Sequence, residues 1–176
     1  MNQNGSVRKI AVASVLVAVA LTIYVLEANI PPLAPVPGVK LGLSNIVTIF
    51  TLYIIGPKVA LAVLACRIIL SGFIVGQPAA ILYGMCGGLL AFLFAALAYR
   101  KFPKKQIWVL SAISAVLHNL GQITVAALVA GTSGLFIYIP ALVTSGIITG
   151  AFTGTAAQLL LDRLVKAGIL KYYGEI

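Results

Sequence analysis

Apolar runs of about 17 to 25 residues recur along the chain between short polar breaks, and they constrain the fold more than any other feature. A helix rises about 1.5 Å per residue, so about 20 apolar residues cross a hydrocarbon core of about 30 Å. Of the 176 residues, 61% are hydrophobic and only 9% are charged. The sequence therefore predicts an integral membrane protein of the all-α class, in which one membrane domain takes up residues 1–176 and contacts lipid.

Six apolar segments are regular enough to form helices of a membrane bundle. The prolines of "NIPPLAPVPGVK" exclude a helix between the first two segments and favour an extended chain there. The first segment is longer than the apolar core of a signal peptide, and we expect a retained helix. "LFIY" before Pro140 predicts a short interfacial element. The predicted helices cover about residues 10–26, 41–55, 58–75, 78–99, 106–130 and 140–165.

Basic residues gather at one side of this predicted bundle, which sets its orientation. Both termini in the cytoplasm would leave only Lys40 outside and Arg67 within the membrane. We expect a multi-pass protein of the bacterial cytoplasmic membrane, and the net charge of +9 then indicates no nucleic-acid partner. The basic residues on the cytoplasmic side are Arg8, Lys9, Lys58, Arg100, Lys101, Lys104, Lys105, Arg163, Lys166 and Lys171.

Strongly polar side chains interrupt the apolar helices at similar predicted depths. In "SAVLHNLGQITVA", His118, Asn119 and Gln122 are three and four residues apart and share one broad helix face. Such groups are costly in lipid, so we predict that they line a cavity between helices 2, 3 and 5, under the proline-rich linker. The predicted substrate-binding residues are Asn45, Arg67, His118, Asn119, Gln122, Lys40 and Glu27.

Each of these residues also has a structural interpretation. Arg67 could pair with a helix carbonyl, and the three polar residues of helix 5 could form an interhelical hydrogen-bond cluster. Glu27 and Lys40 could be interfacial anchors or a salt bridge that holds the linker. The sequence leaves these alternatives open, and it favours a structural role for the hydroxyls that can bond to their own helix, namely Ser44, Thr48 and Thr51.

Small residues at four-residue spacing predict close contacts between helices. Helix 6 carries Gly146, Gly150 and Gly154, and helix 4 carries Gly84 and Gly88, for which we expect packing within the chain. On helix 1, a further strip at the edge of the bundle could accept a partner protein. The predicted docking residues of this strip are Ala11, Ser14 and Ala18.

The acidic residues exclude several classes of enzyme. Apart from the terminal Glu175, the chain has only Glu27 and Asp162, which lie on opposite sides of the predicted membrane, so no carboxylate pair can hold catalytic Mg²⁺. The sequence has no P-loop and no nucleophile with a base in register. Cys66 and Cys86 are predicted to be small buried hydrophobic residues. We expect a binding protein with no cofactor and no metal site.

The quoted elements "VKLGLSNIVTIFTLYIIGPKVALAVLACRIILSG", "YGMCGGLLAF" and "LHNLGQ" resemble those of a known bacterial membrane family. It is the heptaprenyl diphosphate synthase component I family, also called the Gx transporter family, which is similar to substrate-binding S components of energy-coupling factor (ECF) transporters. The resemblance implies a six-helix S component that works with a membrane T subunit and two ABC ATPases. It also implies docking through an AxxxA-type pattern, which Ser14 and Ala18 match in part.

The resemblance and the polar residues together predict an S component of an ECF-type importer that captures a small ligand from outside. One fixed cation, or two with Lys40, favours a ligand with a carboxylate or phosphate, such as a vitamin-like molecule or an isoprenoid or quinone precursor. The alternative is a non-catalytic membrane component of a heptaprenyl diphosphate synthase system, and a third class is a stand-alone channel or scaffold. Prenyl elongation needs aspartate-rich motifs, which cannot be built from one aspartate.

Overall fold

The structure, a computed structural model, describes residues 3–30, 42–76 and 78–169. Within these ranges the chain forms six α-helices and no strand, which confirms the predicted all-α class. Short 3-10 helices, Lys104–Gln106 and Ser133–Tyr138, precede the last two helices, and the second of them contains the predicted "LFIY" element. The helices are α1 (Gln3–Glu27), α2 (Asn45–Ile54), α3 (Pro57–Ile74), α4 (Pro78–Ala98), α5 (Ile107–Ala130) and α6 (Ile139–Lys166).

Helix α2 begins later than predicted, at Asn45 rather than near residue 41, whereas α1 begins earlier, at Gln3 rather than near residue 10. Gly42 lies before α2 in a left-handed turn, with φ of 80°, a conformation that favours glycine. The ten residues of α2 rise about 15 Å, which is half of a hydrocarbon core. The other five helices are long and apolar enough to cross a membrane. The chain is therefore a membrane protein by its helices, while the number of complete spans stays a prediction.

Sequential helices from α2 onward run antiparallel, as their contacts show. On α4, Gly84 and then Gly88 face Ile68 and then Leu64 of α3, in reverse order along the chain. Helix α1 instead runs parallel to α3, since Ala20 packs with Val63 and, further along both helices, Tyr24 meets Ser71. The starts of α1, α3 and α5 and the ends of α4 and α6 therefore lie together, and these are the segments that carry the basic residues. The side of the membrane that this basic end faces stays a prediction.

The basic half of the bundle is filled by a tightly packed apolar core. Leu52 of α2, Leu64 of α3, Leu110 of α5 and Leu161 of α6 are fully buried in it. Close to the basic end, the rings of Tyr53 and Tyr99 meet edge to face with centroids 5.9 Å apart. In lipid, such packing holds helices together through dispersion rather than through escape from water.

Helices α5 and α6 form a close seam through the glycines of α6. A Cβ placed on Gly150 would lie 2.5 Å from Cα of Ala112, and one on Gly154 would lie 2.5 Å from Cα of Trp108. The prediction that these glycines pack within the chain is confirmed. The hydroxyls of Ser111 and Thr153 are hydrogen-bonded across the same seam at 3.2 Å.

The two cysteines correct one sequence-based expectation. Cys66 and Cys86 were predicted to be buried, but both are exposed on the outer surface of α3 and α4. Large apolar side chains, among them Phe73, Leu97 and Phe152, are exposed on the same kind of surface. In an apolar solvent this surface needs no burial against protein, so a small hydrophobic residue there is satisfied by lipid contact.

Candidate ligand-binding site

A small polar cavity lies where α1, α3, α4 and α5 meet the turn that precedes α2. It has about 20 Å³ of room for solvent, and a water molecule needs at least about 10 to 15 Å³ on the same measure. The cavity is on the side of the bundle away from the basic end. Its lining residues are Tyr24, Glu27, Gly42, Ser44, Arg67, Ile68, Ser71, Ala80, Gly84, His118 and Gln122.

Arg67 is the centre of this cavity and is only 3% exposed. Its Nη1 donates to Oγ of Ser44, and its Nη2 donates to Oδ1 of Asn45 at 3.3 Å. Its Nε has no hydrogen-bond partner among the described residues. A buried guanidinium at membrane depth is costly and marks functional positions more often than structural ones.

Glu27 brings a second charge to the same cavity. Its Oε1 accepts a hydrogen bond of 2.6 Å from the backbone N–H of Gly42, and the residue is 3% exposed. The carboxylate therefore lies at the N-terminal turn of α2, where the helix dipole stabilises negative charge. Glu27 also interacts electrostatically with Arg67. These contacts support the interpretation that Glu27 fixes the end of the linker, and they place its charge in the cavity as well.

Gly42 allows this arrangement because it has no side chain. A Cβ on Gly42 would lie 2.9 Å from Nδ2 of Asn45 and 3.3 Å from Cδ2 of His118. The glycine therefore joins the end of α1, the start of α2 and the middle of α5. Any other residue would both strain the left-handed turn and separate these side chains.

His118 and Gln122 reach the cavity from α5, one helical turn apart. Gly87 and Gly121 bring α4 and α5 together at this level, since a Cβ on Gly121 would lie 2.8 Å from Cα of Gly87. The side chain of His118 also interacts with the backbone of Gly87. Nδ1 of His118 and Oε1 of Gln122 are buried without a hydrogen-bond partner in the described part of the chain.

Asn119 points away from the cavity, although it lies between these two residues in sequence. Its Nδ2 donates to the carbonyl O of Leu142 at 2.8 Å and lies 3.5 Å from Oγ of Ser145, both on α6. It is absent from the cavity lining. The contacts of Asn119 are those of a residue that joins two helices.

Asn45 separates the first cavity from a second one of about 20 Å³, nearer the basic end. Thr48, Leu64, Phe92 and Ser114 are among the residues that line this second cavity. Oγ1 of Thr48 and Nδ2 of Asn45 have no partner among the residues described. The amide of Asn45 thus holds Arg67 on one side and borders a second small space on the other.

The structure brings together four of the predicted binding residues, Glu27, Arg67, His118 and Gln122, around one cavity, with Asn45 bonded to Arg67. Lys40 lies outside the described residues, as does the linker that was predicted to cover the site. Helices α1 and α4 also contribute to the walls, beyond the predicted helices 2, 3 and 5. The lining residues that the sequence did not indicate as ligand-binding include Tyr24, Gly42, Ser44 and Ser71.

Three of these additional residues act through hydroxyl groups. Ser44 was expected to bond to its own helix, but it lies at the N-cap of α2 and accepts from Arg67. Tyr24 and Ser71 are hydrogen-bonded through their side chains. One sequence feature could have indicated that Tyr24 lines the cavity. It lies three residues before Glu27, so both residues are on the same face of α1.

The predicted docking strip lies on the opposite face of α1 from the bundle. Ala11, Ser14 and Ala18 are exposed, whereas Ala13 and Ala20 pack against α2 and α3. The hydroxyl of Ser14 donates to the carbonyl O of Ile10 at 3.1 Å. The strip is therefore a smooth surface of small side chains that no described part of the chain covers.

The cavity offers hydrogen bonds in both directions. Arg67 Nε can only donate, while Gln122 Oε1 can only accept. Within the described ranges, no three His, Cys, Asp or Glu residues are grouped as metal ligands would be. The arrangement suits recognition of a small polar molecule.

Comparison with known proteins assigns the chain to a family. No curated protein and no solved structure matches it. The sequence model described as heptaprenyl diphosphate synthase component I matches residues 16–160, a range that includes every described residue of the cavity. This confirms the resemblance to that family, which is non-catalytic, in agreement with the expectation that the chain is not an enzyme. The likeness to S components stays a prediction. The chain belongs to the heptaprenyl diphosphate synthase component I family.

Proposed function

We propose that this chain is a non-catalytic membrane component that binds a small polar ligand in the cavity around Arg67. The observation that carries the proposal is a pair of buried polar atoms, Arg67 Nε and Gln122 Oε1, that have no hydrogen-bond partner among the described residues and belong to side chains that line one cavity. Leaving such a group unsatisfied costs about 1 to 3 kcal/mol, and more for a charged one. A ligand that satisfies both groups would recover that free energy.

Binding requires the cavity to enlarge. Its room of about 20 Å³ accommodates water, whereas sites for small molecules typically occupy about 300 to 1,000 Å³. Helix α1 forms one wall and contacts the bundle along a single face, with Ala13 and Ala20 turned inward. We propose that ligand entry separates α1 and the turn at Gly42 from α3 and α5.

Family membership favours a role in a heptaprenyl diphosphate synthase system. A component without catalytic carboxylates would hold a ligand at the membrane while a partner protein supplies the chemistry. In this role the binding residues are Glu27, Asn45, Arg67, His118 and Gln122. Lys40 would be a further cation, and Asn119 would hold α5 against α6. Lys40 and Asn119 rest on the sequence pattern alone as ligand-binding residues.

A second candidate is the S component of an ECF-type importer in the bacterial cytoplasmic membrane, with both termini in the cytoplasm. The exposed small-residue strip of α1 favours it, since Ala11, Ser14 and Ala18 would allow close approach of a T subunit. Two ABC ATPases would then supply the energy, because the sequence has no P-loop.

The test is mild purification of the tagged protein from its native membranes, followed by mass spectrometry of proteins and small molecules. Recovery of a polar small molecule with the purified protein supports the binding role. The absence of any such molecule contradicts that role. A prenyl synthase subunit among the recovered proteins supports the first candidate. A T-type membrane protein with ABC ATPases supports the second.

One substitution separates docking from binding. Ala18→Phe places a bulky ring on the exposed strip, whereas the control Val19→Phe places it about 100° around the same helix. If the strip is a docking surface, Ala18→Phe abolishes recovery of the partner and leaves the small molecule bound, and Val19→Phe changes neither. Equal partner recovery in both variants would contradict docking through this strip.

A further inference from the structure

The charges around the cavity restrict the kind of ligand that it can hold. Arg67 and Glu27 both line the cavity, both are 3% exposed, and they interact electrostatically with each other. The described lining thus contains one fixed positive and one fixed negative charge. The described part of the cavity therefore carries no net charge before a ligand enters.

Glu27 already occupies the position at which the N-terminal end of α2 would stabilise a ligand anion most strongly. The N-terminal turn of the half-length helix α2 opens into the cavity at Gly42 and Ser44, and such helix ends attract anions inside membranes. The Glu27 carboxylate takes this position through its 2.6 Å hydrogen bond from Gly42 N–H. A ligand with only negative charge would lie beside this carboxylate in a medium of low dielectric constant, where like charges repel strongly.

Two buried atoms that have no hydrogen-bond partner among the described residues define what a ligand must supply, namely one acceptor and one donor. Arg67 Nε is a donor and needs an acceptor such as a carboxylate or phosphate oxygen. Gln122 Oε1 is an acceptor and needs a donor such as an amine, a hydroxyl or a ring N–H. Both side chains are 3% exposed, so bulk water does not replace either partner.

We infer that the ligand of this cavity is neutral overall and carries an anionic or strongly accepting group for Arg67 together with a hydrogen-bond donor for Gln122. Zwitterions and polar neutral ring compounds belong to this class. A simple carboxylate or diphosphate does not. The inference rests on the proposed binding function and narrows its substrate class.

A matched pair of probes tests the inference on the full chain in lipid nanodiscs. β-Alanine and butanoate have the same number of heavy atoms and differ by an ammonium in place of a methyl group. We expect β-alanine to raise the thermal unfolding temperature at about tenfold lower concentration than butanoate, since only butanoate adds uncompensated charge. Equal effects, a stronger effect of butanoate, or no effect of either probe would overturn the inference.

The variant Glu27→Gln sharpens the test, because its amide oxygen can still accept from Gly42 N–H while the charge is removed. The preference for β-alanine should shrink by about tenfold or reverse. Asp162→Asn is the control, since it removes a carboxylate at the exposed basic end of α6 and should leave the preference unchanged. An unchanged preference in Glu27→Gln would also overturn the inference.

The outcomes separate this inference from the proposed function. Stabilisation by butanoate that equals or exceeds that by β-alanine would indicate a further cation at the site, with Lys40 as the candidate, and would leave the binding role intact. The binding role itself is decided by recovery of a small molecule from native membranes, which requires neither probe.

Discussion

Helix α5 carries polar residues on two faces, and the two faces differ in how their polar atoms are satisfied. Toward α6, Ser111 bonds to Thr153 and Asn119 donates to the carbonyl O of Leu142, among glycines that allow close contact. Toward the cavity, His118 and Gln122 keep buried atoms without partners among the described residues. Asn119 Oδ1 also lacks such a partner, but Asn119 is fixed to α6 through its Nδ2, whereas no described helix holds the Gln122 amide in this way. A direct hydrogen bond to the neighbouring helix, rather than polarity, therefore distinguishes a helix contact from a candidate binding site.

The two faces also differ in what their polar groups do for stability. Interhelical hydrogen bonds in membranes contribute about 0.6 kcal/mol each, so the α5 and α6 seam depends mainly on close packing at Gly150 and Gly154. On the cavity face, each unpartnered group costs about 1 to 3 kcal/mol. We therefore expect the free energy of unfolding to change most with side-chain volume at the seam and with side-chain charge at the cavity.

The largest expected effect is on the charged pair of the cavity. Arg67→Gln leaves the Glu27 carboxylate without its cation, and should destabilise the protein by about 3 to 5 kcal/mol. The double variant Arg67→Gln with Glu27→Gln removes both charges and should recover more than half of that loss. Reversible unfolding in detergent measures both values. Additive losses in the double variant would show that the two charges do not compensate each other.

Overpacking the seam should give the next largest effect. Gly150→Ala places a Cβ 2.5 Å from Cα of Ala112, and the helices must separate at a cost of about 1 to 3 kcal/mol. The same unfolding assay applies, with Thr155→Ala on the exposed side of α6 as the control. Ligand recovery should fall only in proportion to folded protein. An unchanged free energy of unfolding in Gly150→Ala would contradict the close contact of α5 and α6 at Gly150.

The smallest effects on the free energy of unfolding should differ between the two faces of α5. Asn119→Leu removes the 2.8 Å bond to α6 and should cost about 0.6 kcal/mol. Gln122→Met keeps the volume, removes an unpartnered amide and should leave the free energy of unfolding unchanged or raise it. Parallel unfolding curves of the two variants measure the difference. A larger loss in Gln122→Met than in Asn119→Leu would place a structural bond at Gln122.

The sequence predicted the cavity residues of α3 and α5 because ionisable and amide groups stand out among apolar ones. It did not separate Asn119 from Gln122, since both were assigned to one broad face. On an ideal helix Gln122 is about 40° from His118 and Asn119 about 100°, and this difference is enough to turn Asn119 to α6. The neighbours on each side were needed to decide between the faces.

Other features depended on contacts that a single sequence does not contain. Ser44 could bond to its own helix or to Arg67, and only the late start of α2 places it at the N-cap beside the guanidinium. The role of Gly42 rests on its positive φ and on the hydrogen bond to Glu27, fifteen residues earlier. Both cysteines were misjudged because lipid and protein interior are equally apolar for a thiol.

Native mass spectrometry of the intact protein released from its membranes tests whether a small molecule binds in the cavity around Arg67. The comparison is between wild type, Gln122→Met and Asn119→Leu, which alter the two faces of one helix. We expect a bound small molecule in wild type and Asn119→Leu and its loss from Gln122→Met, with all three proteins folded. Equal occupancy in the two variants, or an adduct lost only from Asn119→Leu, would contradict binding in the cavity around Arg67.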